Sequence, residues 1–257
     1  MITGAGRGIG AAAARRLAAD GWALMLTDAC SDDPLLGYPL ASPDELAAVA
    51  EECRSRGAPV IHRPADVRDV DALRAAAAAA VAEFGGLDAA VAAAGAIAGG
   101  PPAWQTSEEV WMHMLEVNAG GAYRLAAATV PALLARPEPR SGRFVALAST
   151  AGTRPMPRLA AYAAAKAAVV GFTRSLAADL EGTGVTANAV APGSTRGVML
   201  RESARIYDLG REDEFAGHQV LGRVLEPAEV AAAVAWLCGP ESSGTTAAVH
   251  HVDGGFR

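Results

Sequence analysis

Cysteine is scarce, basic clusters are missing, and no apolar run is long enough to cross a bilayer. Each shortage removes a class of protein. The three cysteines, Cys30, Cys53 and Cys238, form neither a disulfide framework nor a zinc spacing, and a reducing cytoplasm fits best. The arginines are scattered, and a net charge of -6 with a pI near 5.4 favours no nucleic-acid or anionic-membrane partner. No stretch of roughly 18 apolar residues runs without polar interruption, and the start carries no secretory-leader pattern, so no membrane association is expected. There is no charged or low-complexity tail and no linker. The proline-rich "RPEPRSG" is short enough to be a helix-to-strand turn. With 51% hydrophobic and 19% charged residues, the chain can bury a large core as one domain over residues 1–257.

Strand-like and helical patterns alternate along the chain. A glycine loop and helix (Gly4 to Asp20) precede a strand (Trp22 to Thr27). After an excursion, a helix runs from about Pro43 to Arg56, with Ser42, Pro43 and Glu45 placed as a capping box. A strand (Pro59 to Arg63), a helix (Val70 to Phe84) and the strand "LDAAVAAAG" follow. A long helix, about Ser107 to Ala135, is expected to be bent or staggered at Gly120-Gly121. The strand "GRFVALAST", a helix (Ala160 to Leu180), the strand "VTANAVAPG", a helix opened by Glu226-Pro227 and the strand "AAVHHVDGG" complete the series. This order predicts a Rossmann-like three-layer α/β/α sandwich with a mostly parallel sheet of about seven strands. The first strand is only a stub, Met1-Ile2-Thr3, where about five or six residues are usual. A late-called start or a truncated strand is expected, the alternative being a naturally short edge strand.

"TGAGRGIG" lies between that stub and an alanine-rich helix, where a dinucleotide loop belongs. Gly4, Arg7, Gly8, Ile9 and Gly10 are its candidate cofactor contacts, although a purely structural turn shares the pattern. Asp28 ends the second strand, where a carboxylate can bind the adenosine ribose hydroxyls and repel a 2′-phosphate. NAD is therefore favoured over NADP, with Arg7 as the group that could instead meet a phosphate. Asp66 and Val67 follow the third strand; Asp66 suits either the adenine amino group or a helix N-cap.

Tyr162 and Lys166 stand four residues apart in "LAAYAAAKAAVVGF", on one helix face. Ser149 ends the strand "FVALAS", and Asn118 lies in the long helix. A phenol titrates near 10 and needs help to act as a base; a nearby ammonium favours the phenolate, and a serine hydroxyl can orient a substrate oxygen. His250, His251 and Asp253 make no ligand cluster, since adjacent strand residues face opposite ways, and no metal site is assigned. His218 reads as a packed or surface histidine. Residues 194–222 suit a substrate lid, with Met199, Leu200, Ile206, Tyr207 and Leu209 as its apolar cover. Ile97, Met156 and Trp104 are further pocket candidates for a hydrophobic alcohol.

Over its whole length the chain resembles the short-chain dehydrogenase/reductase family. "TGAGRGIG" matches that family's cofactor loop, and Asn118, Ser149, Tyr162 and Lys166 match its catalytic tetrad. Pro192-Gly193 matches the bend that receives the nicotinamide. The resemblance implies hydride transfer between a secondary alcohol or carbonyl and nicotinamide C4. Tyr162 would be the base, and Lys166 would lower its pKa and hold the nicotinamide ribose. Ser149 would position the substrate oxygen and Asn118 a relay water. A homotetramer with the Asn118 and Tyr162 helices in its interfaces is also implied. Two departures stand out. Ala92-Ala93-Ala94-Gly95 replaces the family's "NNAG", leaving Ala94 and Gly95 as cofactor contacts. Gly197 stands where a threonine is usual, and Thr195 or backbone amides may replace it.

The excursion "DACSDDPLLGYPLASPDEL" narrows the resemblance to the mycofactocin-coupled oxidoreductases. "AAVAAAGAIAGG", "GRFVALAST", "EFAGHQVLGRVLEPAEVAAAVAWL" and "HVDGG" carry the same likeness. That subgroup implies tightly held, poorly exchanging NAD, reoxidised in place by the redox cofactor mycofactocin. An ordinary dehydrogenase with exchanging NAD(H) is the alternative within the family, and a noncatalytic nucleotide-binding scaffold the alternative outside it. Residues 29–42 are expected to close over the adenosine end through Leu35, Leu36, Tyr38 and Pro39. Burying roughly 100 Å² of apolar surface there would add about 2.5 kcal/mol.

Overall fold

In the computed structural model, which describes residues 1–257, seven strands form one sheet. They are β1 (Ile2–Thr3), β2 (Leu24–Asp28), β3 (Val60–Pro64), β4 (Ala89–Ala92), β5 (Arg143–Leu147), β6 (Thr186–Pro192) and β7 (Val249–Val252). Their order is β3-β2-β1-β4-β5-β6-β7, and every pairing is parallel. Parallel neighbours require crossovers, so helices must cover both faces. Helices α1 (Gly8–Ala19), α2 (Pro43–Arg54) and α8 (Pro227–Cys238) bury one face; α3 (Val70–Phe84), α5 (Gly121–Leu134) and α6 (Ala160–Asp179) bury the other. The two apolar clusters hold 26 and 27 buried residues, so neither face is left short of cover. The architecture is the expected Rossmann-like sandwich.

Local chemistry sets the helix ends. Ser42 and Glu45 close the capping box of α2, with Pro43 in its first turn. Glu226 and Glu229 do the same for α8. Asp69, rather than Asp66, caps α3 by accepting from the amides of Asp71 and Ala72. The N-cap alternative for Asp66 is therefore wrong.

The first strand departs from the edge-strand alternative. Only two residues long, β1 lies at the sheet centre, pairing Ile2 with Leu26 and Val91 and Thr3 with Thr27 and Ala92. The long helix is also not simply bent. It comprises α4 (Glu108–Met114), a widened π-helical turn (Leu115–Gly120) and α5. Gly121 lets α5 approach β3's exit: a Cβ there would stand 2.8 Å from Val67 Cγ2.

Candidate active site

Strand order reverses between β1 and β4, which opens a cleft outside the carboxyl ends of the strands. The glycine loop fills one side of it. A Cβ on Gly4 would stand 2.6 Å from Ala94 Cα, and one on Gly10 would collide with the Gly4 carbonyl oxygen. The close approach of loop and strand thus depends on these glycines. Arg7, at the N-cap of α1, makes no side-chain capping bond, so first-turn amides remain for an anionic ligand.

Asp28 Oδ2 accepts from Gly6 N at 2.9 Å and Oδ1 from Ala29 N at 2.8 Å. Burial raises its pKa, and these amides oppose the rise. Arg7, the group that could instead have met a phosphate, is engaged within the protein. Its guanidinium bonds both Glu45 carboxylate oxygens, at 2.8 and 2.6 Å, and the carbonyls of Pro39 and Leu40. Asp66 is likewise engaged, by three nitrogens of Arg68. The cradle fits a dinucleotide, and the Asp28 carboxylate beside an Arg7 already paired with Glu45 suits a ribose diol better than a 2′-phosphate.

Residues 29–42 reach well beyond the Asp28 end of the cleft. Asp33, buried, meets Arg68 Nη1 at 2.9 Å and His113 Nε2 at 3.4 Å. Tyr38 Oη accepts from Ile97 N at 2.9 Å. A Cβ on Gly37 would come within 3.6 Å of Glu202 Oε1, on α7 (Val198–Ile206). Leu36 and Tyr38 pack into an apolar cluster containing Ile97, Met114, Tyr162 and Ile206. The segment therefore crosses the cleft from the Asp28 end to the Tyr162 end.

Ser149, Tyr162 and Lys166 lie together on the cavity, with Asn118 behind them. Ser149 caps a short 3-10 turn through Ala151 N at 3.1 Å and shares the cavity wall with Tyr162. Lys166 Nζ donates to Leu147 O at 2.9 Å and lies 5.8 Å from the centre of the Tyr162 ring. Asn118, in the widened turn, donates to the carbonyls of Ala96 at 3.0 Å and Met114 at 2.9 Å, while its Oδ1 accepts from Ala96 N. A Cβ on Gly95 would press on Asn118 Oδ1 and Lys166 Nζ.

Burial pushes Tyr162 up to about 12, opposed by the Ser149 hydroxyl, and pushes Lys166 down to about 8. Each group loses solvation in its charged form, which raises a phenol and lowers an amine.

These groups share one cavity of about 850 Å³. It is lined by Gly4, Arg7, Gly8, Ile9, Gly10, Asp28, Asp66 and Val67 at one end. Ala94, Gly95, Ser149, Tyr162, Lys166, Pro192, Gly193 and Thr195 lie along it, with Ile97, Met156, Met199 and Tyr207 on the far wall. Asn118 stands behind Ala96 rather than on the wall. Thr195 Oγ1 donates to Gly193 O at 3.0 Å, and Gly197 starts α7 at φ 152°. Leu200 and Leu209 also reach the cavity, but Ile206 is buried behind it. Trp104 is 83% exposed and lines nothing here. Sequence spacing gave no sign of Asp33, Arg68 and His113 as a cluster, nor of Phe215, Phe256 and Arg257 at the rim. They come from elements distant along the chain, and only the fold joins them.

Comparison with known proteins adds three likenesses and a family match. A family described as Enoyl-(Acyl carrier protein) reductase matches residues 4–257. The short-chain reductase protein NovJ of Streptomyces niveus is 37% identical, covering 99% of this chain and 92% of its own. Carveol dehydrogenase from Mycobacterium avium, solved in complex with NAD, superposes with a TM-score of 0.93 at 29% identity, covering 99% and 95% of the two chains. A short chain dehydrogenase from Mycobacterium paratuberculosis, bound to NAD, gives 0.89 at 31% identity, covering 99% and 95%.

Proposed function

The chain belongs to the short-chain dehydrogenase/reductase family, as an NAD-dependent oxidoreductase acting on CH–OH groups, and from that premise we propose that it interconverts a hydrophobic secondary alcohol and its ketone with exchanging NAD(H). The observation that carries this reading is the meeting of Ser149, Tyr162 and Lys166 on the cavity that also holds the glycine cradle and Asp28. The apolar wall of Ile97, Met156, Met199 and Tyr207 supports a hydrophobic substrate, and the name of one neighbour, a carveol dehydrogenase, agrees with that class.

NAD, when bound, supplies the hydride acceptor or donor. Gly4, Gly8 and Gly10 with the first turn of α1 would hold its diphosphate, and Asp28 its adenosine ribose. Val67, Ala94, Gly95, Pro192 and Gly193 would wall the rest, with Lys166 toward the nicotinamide ribose. Tyr162 would take the alcohol proton during oxidation and return it during reduction. Ser149 would hold the reacting oxygen beside that phenol. Asn118 would fix the Ala96 backbone and carry a water in the proton relay.

The test is NADH absorbance with NAD and a panel of cyclic and terpenoid secondary alcohols. Wild type should turn over repeatedly, and Tyr162→Phe should lose at least about 10²-fold in kcat. Undiminished turnover in that variant would sink the assignment.

A second reading is favoured by the path of residues 29–42. Held by Asp33 to Arg68 and His113, and by Tyr38 to Ile97, the segment would retain NAD through turnover, with mycofactocin reoxidising it in place. Gel filtration separates the two readings. Retained NAD, reduced by one equivalent and reoxidised only by an added electron acceptor, favours coupling; rapid loss and micromolar rebinding favour exchange.

A further inference from the structure

We infer that Tyr38, delivered by the 29–42 segment, is a specificity-determining residue of the substrate pocket: its hydroxyl donates a hydrogen bond to a second oxygen of the substrate, separate from the oxygen addressed by Ser149 and Tyr162. Three observations lead there. First, the only hydrogen bond of the Tyr38 hydroxyl is the one it accepts from Ile97 N. Its oxygen is fixed while its own proton has no protein acceptor. A phenol carries one donor as well as acceptor capacity, and a desolvated donor left unmade is costly.

Second, Tyr38 lines the cavity on the substrate side. Its ring packs in the cluster of Ile97, Met114, Tyr162 and Ile206, against which Met156, Met199 and Tyr207 also pack. The cofactor-loop side chain Ile9 and the β4-exit residues Ala93 and Ala94 belong instead to the two clusters flanking the sheet. Third, burial holds the phenol above its usual titration range, although the bond from Ile97 N opposes the rise. It is therefore a donor at neutral pH.

A pocket otherwise walled by Ile97, Met156 and Met199 discriminates weakly between hydrocarbon shapes, whereas a buried donor rejects a substrate that leaves it unpaired. The ligand class is thus a cyclic alcohol or ketone bearing a second hydroxyl or carbonyl oxygen.

The inference rests on the alcohol–ketone reading, and the test separates the two. Wild type and Tyr38→Phe are assayed with NAD on cyclohexanol and on the 1,2-, 1,3- and 1,4-cyclohexanediols. Wild type should prefer at least one diol over cyclohexanol by about tenfold or more in kcat/KM. Tyr38→Phe should erase that preference, chiefly through KM, with the diol kcat/KM falling to that of cyclohexanol measured on the same variant. Activity without a diol preference, or an equal fall on all four compounds, overturns the specificity role. The equal fall would mean that the hydroxyl serves only to hold Ile97. Inactivity of wild type on all four overturns the alcohol–ketone reading and this inference with it. Thermal melting of Tyr38→Phe guards against a folding defect, and a Tyr38→Trp variant, which keeps a donor on an aromatic ring, should retain part of the preference.

Discussion

Burial moves the Tyr162 phenol and the Lys166 amine in opposite directions, to about 12 and about 8. On the proposed reading Tyr162 gives a proton in ketone reduction, and burial keeps that proton on it at neutral pH. The charge that loses support as pH rises is that of Lys166. Reduction with NADH should therefore be flat in kcat/KM below neutrality and fall above about pH 8. Lys166→Arg should move that alkaline limb upward, since a guanidinium stays charged. A pH–rate profile of both proteins checks this, and an unmoved limb would assign it elsewhere. Stability follows the same group. Its folded pKa lies below the unfolded value of 10.5, so the unfolded chain binds the extra proton between about 8 and 10.5. The Lys166 contribution to stability is thus lowest below pH 8 and rises through that window. Wild type should gain on Lys166→Met between those limits, as read from denaturant midpoints at each pH. The residue types and their spacing were legible in the sequence; the protonation balance was not, because it depends on how completely the fold removes water.

The same division holds for the elements. Asp28 as a strand end and Ser42 as a helix cap marked both ends of the 29–42 segment, and both lie where local chemistry placed them. Its path was hidden because its anchors, Arg68, His113 and Ile97, come from three other parts of the chain. No local spacing brings these together. Likewise, Asn118 was recognisable by type, but the π-helical turn that docks it on Ala96 was not. Asp33→Asn should weaken the segment's hold, because the buried charge facing Arg68 and His113 is removed. Dissociation of NAD should quicken by about tenfold, equivalent to about 1.4 kcal/mol. Stopped-flow displacement of NADH fluorescence measures it. Arg15→Ala, which breaks only a surface pair with Glu52, should leave that rate unchanged. Equal rates in wild type and Asp33→Asn would mean that this anchor does not govern exchange.

At the scale of the whole molecule, both faces of the sheet are closed within one chain, yet apolar side chains remain outside. Tyr123 on α5 is 58% exposed, and Trp111 and Met112 stand out from α4. The outer side of α6 carries Ala167, Ala168, Gly171 and Ala178, all exposed. Small residues let a second helix approach closely, and an α6 face of this kind suits the homotetramer that the sequence resemblance implied. Gly171 offers a clean test. A Cβ there meets nothing within 4 Å, and in a helix interior most residues are favoured over glycine by up to about 1 kcal/mol. Gly171→Arg should thus leave the isolated subunit folded while placing four fully charged copies at the supposed contact. Sedimentation velocity should show wild type as a tetramer and the variant as a smaller species, with far-ultraviolet circular dichroism unchanged. If the variant sediments as wild type does, the α6 face carries no subunit contact, and exposed Val220 and Leu221 are the next residues to charge should wild type prove oligomeric.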